Sequence, residues 1–257
     1  MENCKLIIFD LDKTLLRDDK TISDFTVETL NSCRKRGILI GFATARPVRG
    51  VEMVRSFFEP DILINHNGAM FQKGDKQEVI GIKKADLIAV LARIESLYPA
   101  AEVAVETTQT LYANYDVTKR WLGERYIFCE NGFEEVDFDD VVKVLIDLKG
   151  IDTSLIRENL PSSCYMDVAD GDMGMIMSVK ATKMGAISAI CEWLEIDLAD
   201  VVAFGDDNND ILMIEGCGVG IAMENAIEMV KEVADGFCLS NEADGPAKWV
   251  LENVLEG

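Results

Sequence analysis

Short apolar runs alternate with amphipathic segments near both ends of the chain. Each run is four to six residues long, which is typical of a buried strand. The runs lie at 5–9, 38–43, 61–65, 201–204, 218–222 and 236–240. Strands that alternate with helical segments form βαβ units, so the pattern predicts a parallel sheet.

The segments between these runs carry helix start and stop signals. Ser23 can cap a helix that runs to about Arg36, and Gly37 is its stop. Thr182 can cap another helix that continues through Leu194. Further helices are predicted near 48–57, after a cap at Asn225, and from about Pro246.

The pattern changes between these two blocks. Residues 84–97 have the spacing of an amphipathic helix, and residues 102–113 carry alternating strand-forming residues. The later elements are a strand, a short helix and a hairpin, at 141–148, 153–160 and 164–179. This mixture indicates an α+β insertion.

We therefore predict an α/β fold with two domains. Residues 1–81 and 180–257 form the core, a doubly wound, Rossmann-like parallel sheet, and residues 82–179 form an inserted α+β cap domain. In such sheets ligands bind beyond the carboxyl ends of the strands. Candidate chemistry is therefore sought where the apolar runs end.

The charge balance limits the partners that we expect. The chain has 257 residues, with 25 lysines and arginines against 46 aspartates and glutamates, and a formal net charge of −21. Such a chain repels nucleic acid backbones and anionic membrane surfaces, so neither is expected as a partner. An anionic substrate would need a local cation, either a metal ion or a placed lysine.

Other features of the composition exclude further classes. His66 is the only histidine, which rules out histidine-rich dinuclear hydrolases and HExxH proteases. The absence of GxxxxGK[ST] and GxSxG motifs disfavours P-loop nucleotidases and α/β-hydrolases. The seven cysteines are scattered and form no CxxC pair, so we expect reduced thiols and a cytoplasmic protein. We also expect no signal peptide and no membrane span.

Two aspartates follow directly on the first apolar run. In FDLDKTLL (9–16), Asp10 and Asp12 come at the end of the predicted strand. A strand places residues i and i+2 on one face, so the two carboxylates repel each other. At about 4 Å and an effective dielectric near 20, the repulsion is roughly 4 kcal/mol. A hard divalent cation such as Mg²⁺ relieves it. The alternative is that both are loop residues that cap a turn.

A second acidic segment, GDDNND (205–210), follows another buried run. It brings acids to the same crevice as Asp10. Its three aspartates cannot all be metal ligands, and Asp206, nearest the strand end, is the best candidate. The alternative is an Asx-rich turn that caps a helix starting near Asn209.

The loop after the second apolar run offers groups that suit a phosphate. In FATAR (42–46), the Thr44 hydroxyl and the nearby backbone N–H groups of Ala45 and Arg46 can hold a phosphate oxygen. The alternative is a turn of small residues.

A lysine near the start of a helix also suits an anion. Lys183 lies in the first turn of the helix that Thr182 caps, which favours it over Lys180. The alternative is a solvated surface lysine. Acids, a hydroxyl and a lysine at one sheet edge share one function, the handling of a phosphoryl group.

These motifs resemble those of the haloacid-dehalogenase-like hydrolases, and within them the Cof-like phosphatases. DLDKTLL matches DxDxT[LV], FATAR matches the Thr/Ser motif, GDDNND matches GDxxND, and TKMG resembles the lysine motif. NHNGA (65–69) and NEADGPAKWV (241–250) resemble two further elements. Ala45, Met184 and Pro246 depart from the usual Gly, Gly and Val. The cap is similar in position and length only.

The resemblance implies roles for the acidic residues. Asp10 would be the nucleophile that forms an aspartyl-phosphate. Asp12 would protonate the leaving oxygen and then deprotonate water, which requires a raised pKa. Mg²⁺ would be held by Asp10, the backbone carbonyl of Asp12 and Asp206.

The resemblance also implies a phosphate-binding set. The 44–46 segment and Lys183 would bind phosphate oxygens, and Asn209 would contact the phosphate. Lys183 would also offset the charge of Asp10. Asp210 would orient the waters of the metal or Lys183.

The expected function is a Mg²⁺-dependent phosphatase for a small phosphorylated metabolite, a sugar phosphate or a phosphorylated cofactor. One alternative is a phosphoryl transferase such as a sugar-phosphate mutase. Another is a phospho-accepting module without turnover, but such domains are about half this length and carry the acceptor on a later strand. The hairpin at 164–179 is expected to contribute to specificity, and the oligomeric state is left open.

Overall fold

The strands form two separate sheets, one in each of two compact units. The structure is a computed structural model. It describes residues 3–122, 124–130, 132–133, 136, 138, 140–169 and 171–256. The first unit comprises Met1–Glu78 and Thr182–Gly257, and the second comprises Val79–Ala181. The insertion predicted from the sequence is 82–179.

The elements follow in chain order through three blocks. The N-terminal block contains β1 (Leu6–Phe9), α1 (Asp24–Lys35), β2 (Leu39–Ala43), α2 (Glu52–Phe57), β3 (Ile62–Asn65), β4 (Met70–Lys73) and β5 (Lys76–Val79). The insertion contains α3 (Lys84–Leu97), β6 (Val103–Thr107), β7 (Leu111–Ala113), β8 (Ile127–Phe128), β9 (Val141–Asp147), α4 (Thr153–Arg157), β10 (Cys164–Ala169) and β11 (Met173–Ser178). The C-terminal block contains α5 (Lys183–Leu194), β12 (Val201–Gly205), α6 (Ile211–Gly216), β13 (Val219–Met223), α7 (Glu228–Val233), β14 (Gly236–Cys238) and α8 (Gly245–Val250).

The sheet of the first unit has the strand order β14-β13-β12-β1-β2-β3-β4-β5. The strands from β14 to β3 are parallel, and β4 runs antiparallel to β3. Phe9 is in register with Phe204 on one side and with Phe42 on the other. The predicted doubly wound parallel sheet is confirmed, and β1 lies at its centre with the C-terminal block on one side.

Apolar side chains cover both faces of this sheet. Phe9 and Phe204 stack with ring centroids 5.0 Å apart, and Trp249 of α8 meets Phe204 edge-on at 5.5 Å. Side chains alternate along β13, so Ile221 lies on the same face of the sheet as Phe204, and Gly220 lies on the opposite face. On the other face α6 packs so closely that a Cβ on Gly220 would lie 2.0 Å from the carbonyl oxygen of Ile214. Helices therefore flank both faces.

The second unit is an antiparallel-rich sheet with helices. Its strand order is β10-β11-β9-β6-β7-β8. The predicted hairpin is present as β10 and β11, with Cys164 in register with Ser178. Asp170, within the 164–179 segment, lies outside the described residues. The apolar core of this unit includes Leu87 of α3, Val105 of β6 and Ile176 of β11.

Two sequence predictions differ from the structure. Asn225 does not cap a helix, because α7 begins at Glu228 behind Ile227, and the Asn225 amide instead donates to the carbonyl of Lys13 at 2.8 Å. The strands β4 and β5 were not predicted, because β4 ends in polar, partly buried residues and β5 is polar and largely exposed. Among the described residues, none of the helices has the length and apolar character needed to cross a membrane.

Candidate active site

The carboxyl ends of three neighbouring strands bring the predicted polar residues together. Asp10 follows β1, Asp206 follows β12 and Thr44 follows β2. The backbone N–H of Asp10 donates to the carbonyl of Phe204 at 3.0 Å, which fixes the first of these ends to its neighbour. Asp10, Asp206 and Thr44 are all buried.

Lys183 connects two of the acidic residues. It is the first residue of α5, which Thr182 caps by accepting from the N–H of Gly185. Its Nζ lies 2.5 Å from Asp10 Oδ1 and 2.6 Å from Asp210 Oδ1, and its side chain is fully buried. Burial alone would lower the pKa of Lys183, but the two carboxylates outweigh burial and raise it. The lysine is therefore a fixed positive charge beside Asp10.

Asp210 is held by both of its oxygens. Oδ1 accepts from Lys183, and Oδ2 accepts from the backbone N–H groups of Asp206 at 2.9 Å and Asp207 at 3.1 Å. Gly205 makes this turn feasible, because a Cβ there would lie 2.5 Å from the Cβ of Asp210. Asp210 therefore ties the GDDNND turn to the lysine, whereas Asp207 is exposed at the start of the turn.

Three carboxylates form a cluster that could hold a metal ion. One oxygen from each of Asp10, Asp206 and Asp210 lies within 4.8 Å of the others. When all are ionised, these three acids and Lys183 leave a formal charge of −2 in a buried site. Thr14 donates to Asp206 Oδ1 at 2.6 Å. Hard oxygen ligands in a buried, negatively charged site fit a divalent cation such as Mg²⁺.

The pKa values of two of these acids are raised, first by burial and then by repulsion between the neighbouring carboxylates. Burial, followed by repulsion from Asp210 and Asp206, raises the pKa of Asp10 well above its ordinary value despite the attraction of Lys183. Burial also raises the pKa of Asp206 to about 7, although the hydrogen bond from Thr14 opposes the rise. A bound cation would favour the ionised form of both acids.

Asp12 lies in a different environment from Asp10. Arg46 donates from Nε to Asp12 Oδ2 and from Nη2 to Oδ1, both at 2.7 Å, and Lys20 donates to Oδ1 at 2.8 Å. Burial would raise the pKa of Asp12, but these hydrogen bonds and charges lower it to about 2. The raised pKa that an acid role requires is therefore not present in this structure, where Asp12 is an ionised carboxylate.

The 44–46 segment uses much of its hydrogen-bonding capacity internally. The N–H of Thr44 donates to the carbonyl of Ile64 at 2.8 Å, and the N–H of Arg46 donates to Thr44 Oγ1 at 3.1 Å. The Thr44 hydroxyl keeps its own proton to donate. Ala45 lies between them, and the Arg46 side chain is directed to Asp12 and to the carbonyl of Gly50. The hydroxyl of Thr44, rather than the N–H of Thr44 or Arg46, is the group suited to a phosphate oxygen.

Asn209 is placed by a residue that sequence reasoning did not select. Its Nδ2 donates to Asn67 Oδ1 at 2.8 Å. Thr14 and Lys20 were also not selected as site residues. Thr14 could have been found as the threonine of the DxDxT pattern and Asn67 as part of the NHNGA segment (65–69), whereas Lys20 carries no local signal. Each meets its partner only through the tertiary fold.

Comparison with known proteins identifies one family over nearly the whole chain. A family model for haloacid dehalogenase-like hydrolases matches residues 7–250. The chain is 30% identical over 264 residues to the 5-amino-6-(5-phospho-D-ribitylamino)uracil phosphatase YitU of Bacillus subtilis (strain 168), covering 96% of each chain. It is also 28% identical over 261 residues to a second 5-amino-6-(5-phospho-D-ribitylamino)uracil phosphatase of the same organism, YcsE. That match covers 98% of this chain and 96% of YcsE. In fold it is similar to the solved HAD subclass IIB sugar phosphatase BT4131, with a TM-score of 0.85, 23% identity, and coverage of 96% and 98% of the two chains.

Proposed function

The chain belongs to the haloacid dehalogenase-like hydrolases and is an enzyme of the phosphatase type, and we propose that it hydrolyses a small phosphate monoester with Mg²⁺ through an aspartyl-phosphate. The observation that carries the proposal is the buried cluster of Asp10, Asp206 and Asp210 around Lys183. Its formal charge of −2 calls for a divalent cation, and one of its carboxylates follows the central strand of the sheet.

In this proposal Mg²⁺ is held by Asp10, Asp206 and the backbone carbonyl of Asp12. The ion would supply positive charge to a transferring phosphoryl group. Asp210 is not assigned as a ligand, because its two oxygens already accept from Lys183 and from the backbone of its own turn. It keeps the lysine and the turn in place.

Asp10 is the proposed nucleophile. One of its carboxylate oxygens attacks phosphorus, the bond from phosphorus to the ester oxygen breaks, and the electron pair leaves with that oxygen. The product on the protein is an aspartyl-phosphate. A carboxylate that attacks an anionic phosphate meets repulsion, which Lys183 lessens from 2.5 Å away.

Asp12 is the proposed proton donor and acceptor. It gives a proton to the departing ester oxygen and later takes one from the water that attacks the aspartyl-phosphate, which releases inorganic phosphate and restores Asp10. Because Arg46 and Lys20 hold Asp12 ionised, this role requires that these ion pairs loosen when substrate binds. An incoming phosphate dianion competes with Asp12 for the same cations.

The phosphate-binding set follows from the groups around the cluster. The Thr44 hydroxyl, the Lys183 ammonium and the Asn209 amide are proposed to bind phosphate oxygens. Ala45 and Arg46 complete this set, Arg46 after it releases Asp12. Phosphoryl transfer depends mainly on positioning and electrostatics, which this arrangement supplies.

The substrate is proposed to be a primary phosphate on a polyhydroxylated chain. YitU and YcsE are both named for a phosphorylated ribityl group, and sugar phosphates share this chemistry. Pyridoxal phosphate and FMN are the next candidates. The segment 164–179 of the insertion is proposed to contribute to the choice among them.

The test measures phosphate release from sugar phosphates, pyridoxal phosphate and FMN, each with Mg²⁺ and with EDTA. Wild type is compared with Asp10→Asn and with Asp207→Asn, a matched control because Asp207 is exposed in the same acidic set. We expect release that needs Mg²⁺, is lost in Asp10→Asn and is kept in Asp207→Asn. Intact-mass analysis after acid quench should find a phosphoryl adduct on wild type but not on Asp10→Asn.

Two results would contradict the proposal. Release that persists in Asp10→Asn or in EDTA would remove the nucleophile or the metal from the mechanism. Isomerised sugar phosphate without net phosphate release would identify a phosphoryl transferase of the mutase type instead.

A further inference from the structure

The turn at 65–68 has no part in the proposed reaction, yet it contacts three of the loops that form the site. It follows β3 and contains three consecutive residues in the left-handed region, His66 at φ 50°, Asn67 at φ 56° and Gly68 at φ 98°. A left-handed backbone is unfavourable for a residue other than glycine, although less so for asparagine. Such backbone persists only where its surroundings hold it, and it is concentrated at functional sites.

The turn first holds the 44–46 segment through hydrogen bonds to its backbone carbonyls. The N–H of Asn67 donates to the carbonyl of Thr44 at 3.0 Å, and the N–H of His66 donates to the carbonyl of Arg46 at 3.1 Å. Asn65 adds a hydrogen bond from Nδ2 to the same Arg46 carbonyl at 3.1 Å. These bonds fix the peptide groups that follow Thr44 and Arg46, and so hold the segment that carries the Thr44 hydroxyl.

The turn also packs against the start of the helix that carries the lysine. A Cβ on Gly68 would lie 2.1 Å from the carbonyl oxygen of Thr182 and 3.0 Å from the backbone nitrogen of Lys183. Only glycine permits this approach at a positive φ. The turn therefore sets the distance between the 44–46 segment and the N-terminus of α5.

The side chain of Asn67 makes the third connection. It is 2% exposed, and its Oδ1 accepts from Asn209 Nδ2 at 2.8 Å. This bond uses one N–H of the Asn209 amide and thereby fixes the direction of its second N–H and of its carbonyl oxygen. One residue thus joins the backbone of the Thr44 loop to the side chain of the GDDNND turn.

We propose that Asn67 is a positioning residue that aligns the Asn209 amide with the Thr44 hydroxyl, so that both reach the same phosphate group. The inference rests on the proposed function, since it takes the site to bind a phosphate. It assigns to Asn67 no contact with substrate. It predicts that the effect of Asn67 on phosphate binding passes through Asn209.

The test is a double-mutant cycle on phosphate affinity. Asn67→Gly removes the amide but tolerates the left-handed backbone, and it is combined with Asn209→Ala. Titration calorimetry measures inorganic phosphate binding to the Mg²⁺-loaded protein, which does not require turnover. The hydrogen bond from Asn209 goes to a charged phosphate, so we expect each single variant to weaken phosphate binding by about tenfold or more. In the Asn209→Ala background, Asn67→Gly should change affinity less than about twofold.

Asn225→Gly is the matched control. The Asn225 amide also braces a site loop, through the carbonyl of Lys13, but it does not contact Asn209. Its effect, whatever its size, should be the same with and without Asn209→Ala. Melting temperatures of all variants are recorded, and a merely structural role of Asn67 would lower the melting temperature without changing phosphate affinity.

The outcomes separate this inference from the proposed function. The inference would be overturned if the effects of Asn67→Gly and Asn209→Ala on phosphate affinity multiplied, or if Asn67→Gly left the affinity unchanged. Neither result would contradict phosphate release by wild type. Coupling without any phosphate release would support the inference and contradict the phosphatase. Failure of wild type to bind phosphate would overturn both.

Discussion

Arg46 and Asp12 form a bidentate ion pair, in which two guanidinium nitrogens each lie 2.7 Å from a different carboxylate oxygen. A pair of this geometry is strong for its degree of exposure. Burial would raise the pKa of Asp12, but this pair, together with Lys20, lowers it to about 2. The free enzyme therefore keeps its proposed acid in the wrong protonation state until another anion engages Arg46.

The first prediction concerns this ion pair. Arg46→Met should raise the pKa of Asp12 by about 1–2 pH units, because an adjacent arginine lowers a carboxyl pKa by about 1–3. The measurement is a titration of the side-chain carboxyl carbons by NMR, with Asp12→Asn to assign the signal. Arg55→Met, which removes an arginine that pairs with Glu52 and Glu59, should leave the Asp12 titration unchanged. An unchanged Asp12 pKa in Arg46→Met would contradict the assignment.

The second prediction tests Asp12 as the acid through the leaving group. Asp12→Asn should keep Mg²⁺ binding, because Asp12 is proposed to contribute only its backbone carbonyl. It should lose kcat/KM on an alkyl phosphate, typically by about 10²–10⁴-fold, and much less on p-nitrophenyl phosphate, whose leaving group needs no proton. The measurement is kcat/KM on both substrates for wild type and variant, because kcat also includes hydrolysis of the aspartyl-phosphate, in which Asp12 is the proposed base for either substrate. Equal losses on the two substrates would argue against an acid role.

Much of the fold follows from local patterns in the sequence. The apolar run at 5–9 becomes β1, and Ser23 and Thr182 cap α1 and α5 through their side chains. These signals are local because a cap and its helix are adjacent in the chain. Asn225 is also a common capping residue, but its side-chain amide donates instead to the carbonyl of Lys13, which lies 212 positions away. No local pattern records that contact.

The site shows the same division between local and long-range information. Strand ends and acidic motifs indicate that Asp10 and Asp206 meet, because adjacent parallel strands end at one edge. They do not indicate the protonation state of Asp12, which depends on Arg46 and on Lys20, a residue with φ 66° in a loop without a motif. The charges around a residue depend on how distant segments pack. The expected raised pKa of Asp12 is therefore wrong for this structure, in which it is lowered.

The third prediction compares two lysines. Lys183→Met leaves Asp10 and Asp210 buried without their ammonium partner, so we expect a loss of about 3–5 kcal/mol in the free energy of unfolding in EDTA. Lys180→Met, at an exposed position, should change stability by less than about 0.5 kcal/mol. Urea unfolding measures both. Phosphate affinity with Mg²⁺ should fall more for Lys183→Met, and the reverse order would show that Lys180 is the relevant lysine.

The fourth prediction uses a single methyl group to displace Asp210. A Cβ on Gly205 would lie 2.5 Å from the Cβ and 2.6 Å from the Cγ of Asp210, so Gly205→Ala must shift this carboxylate away from Lys183. A misplacement of about 1 Å can cost roughly 10²-fold in rate, so kcat/KM should fall by about tenfold or more. Gly236→Ala is the control, because its Cβ would meet only the end of the Ile221 side chain, at 3.1 Å. Similar losses in the two variants would point to sheet disruption rather than to Asp210.

The fifth prediction concerns the effect of pH on the metal-free protein. Asp206 has a pKa raised to about 7, mainly by burial, and the pKa of Asp10 is raised in the same direction. A carboxyl whose pKa is higher in the folded state contributes stability below its unfolded pKa, and this contribution is lost as pH rises through the folded value. The metal-free protein should therefore lose stability between about pH 5 and pH 8 through these two groups.

Mg²⁺ should reverse this loss, because it binds the ionised carboxylates of the folded state only. The rise in melting temperature on adding millimolar Mg²⁺ should thus be larger at about pH 8 than at about pH 5.5, where protons compete with the ion for Asp10 and Asp206. Differential scanning calorimetry with Mg²⁺ and with EDTA measures the rise at both pH values. Asp206→Asn should abolish most of the response, whereas Asp207→Asn, which changes an exposed neighbour, should retain it. A response to Mg²⁺ that is equal at the two pH values, or that survives in Asp206→Asn, would place the ion elsewhere, because binding to carboxylates with raised pKa values must depend on pH in this range.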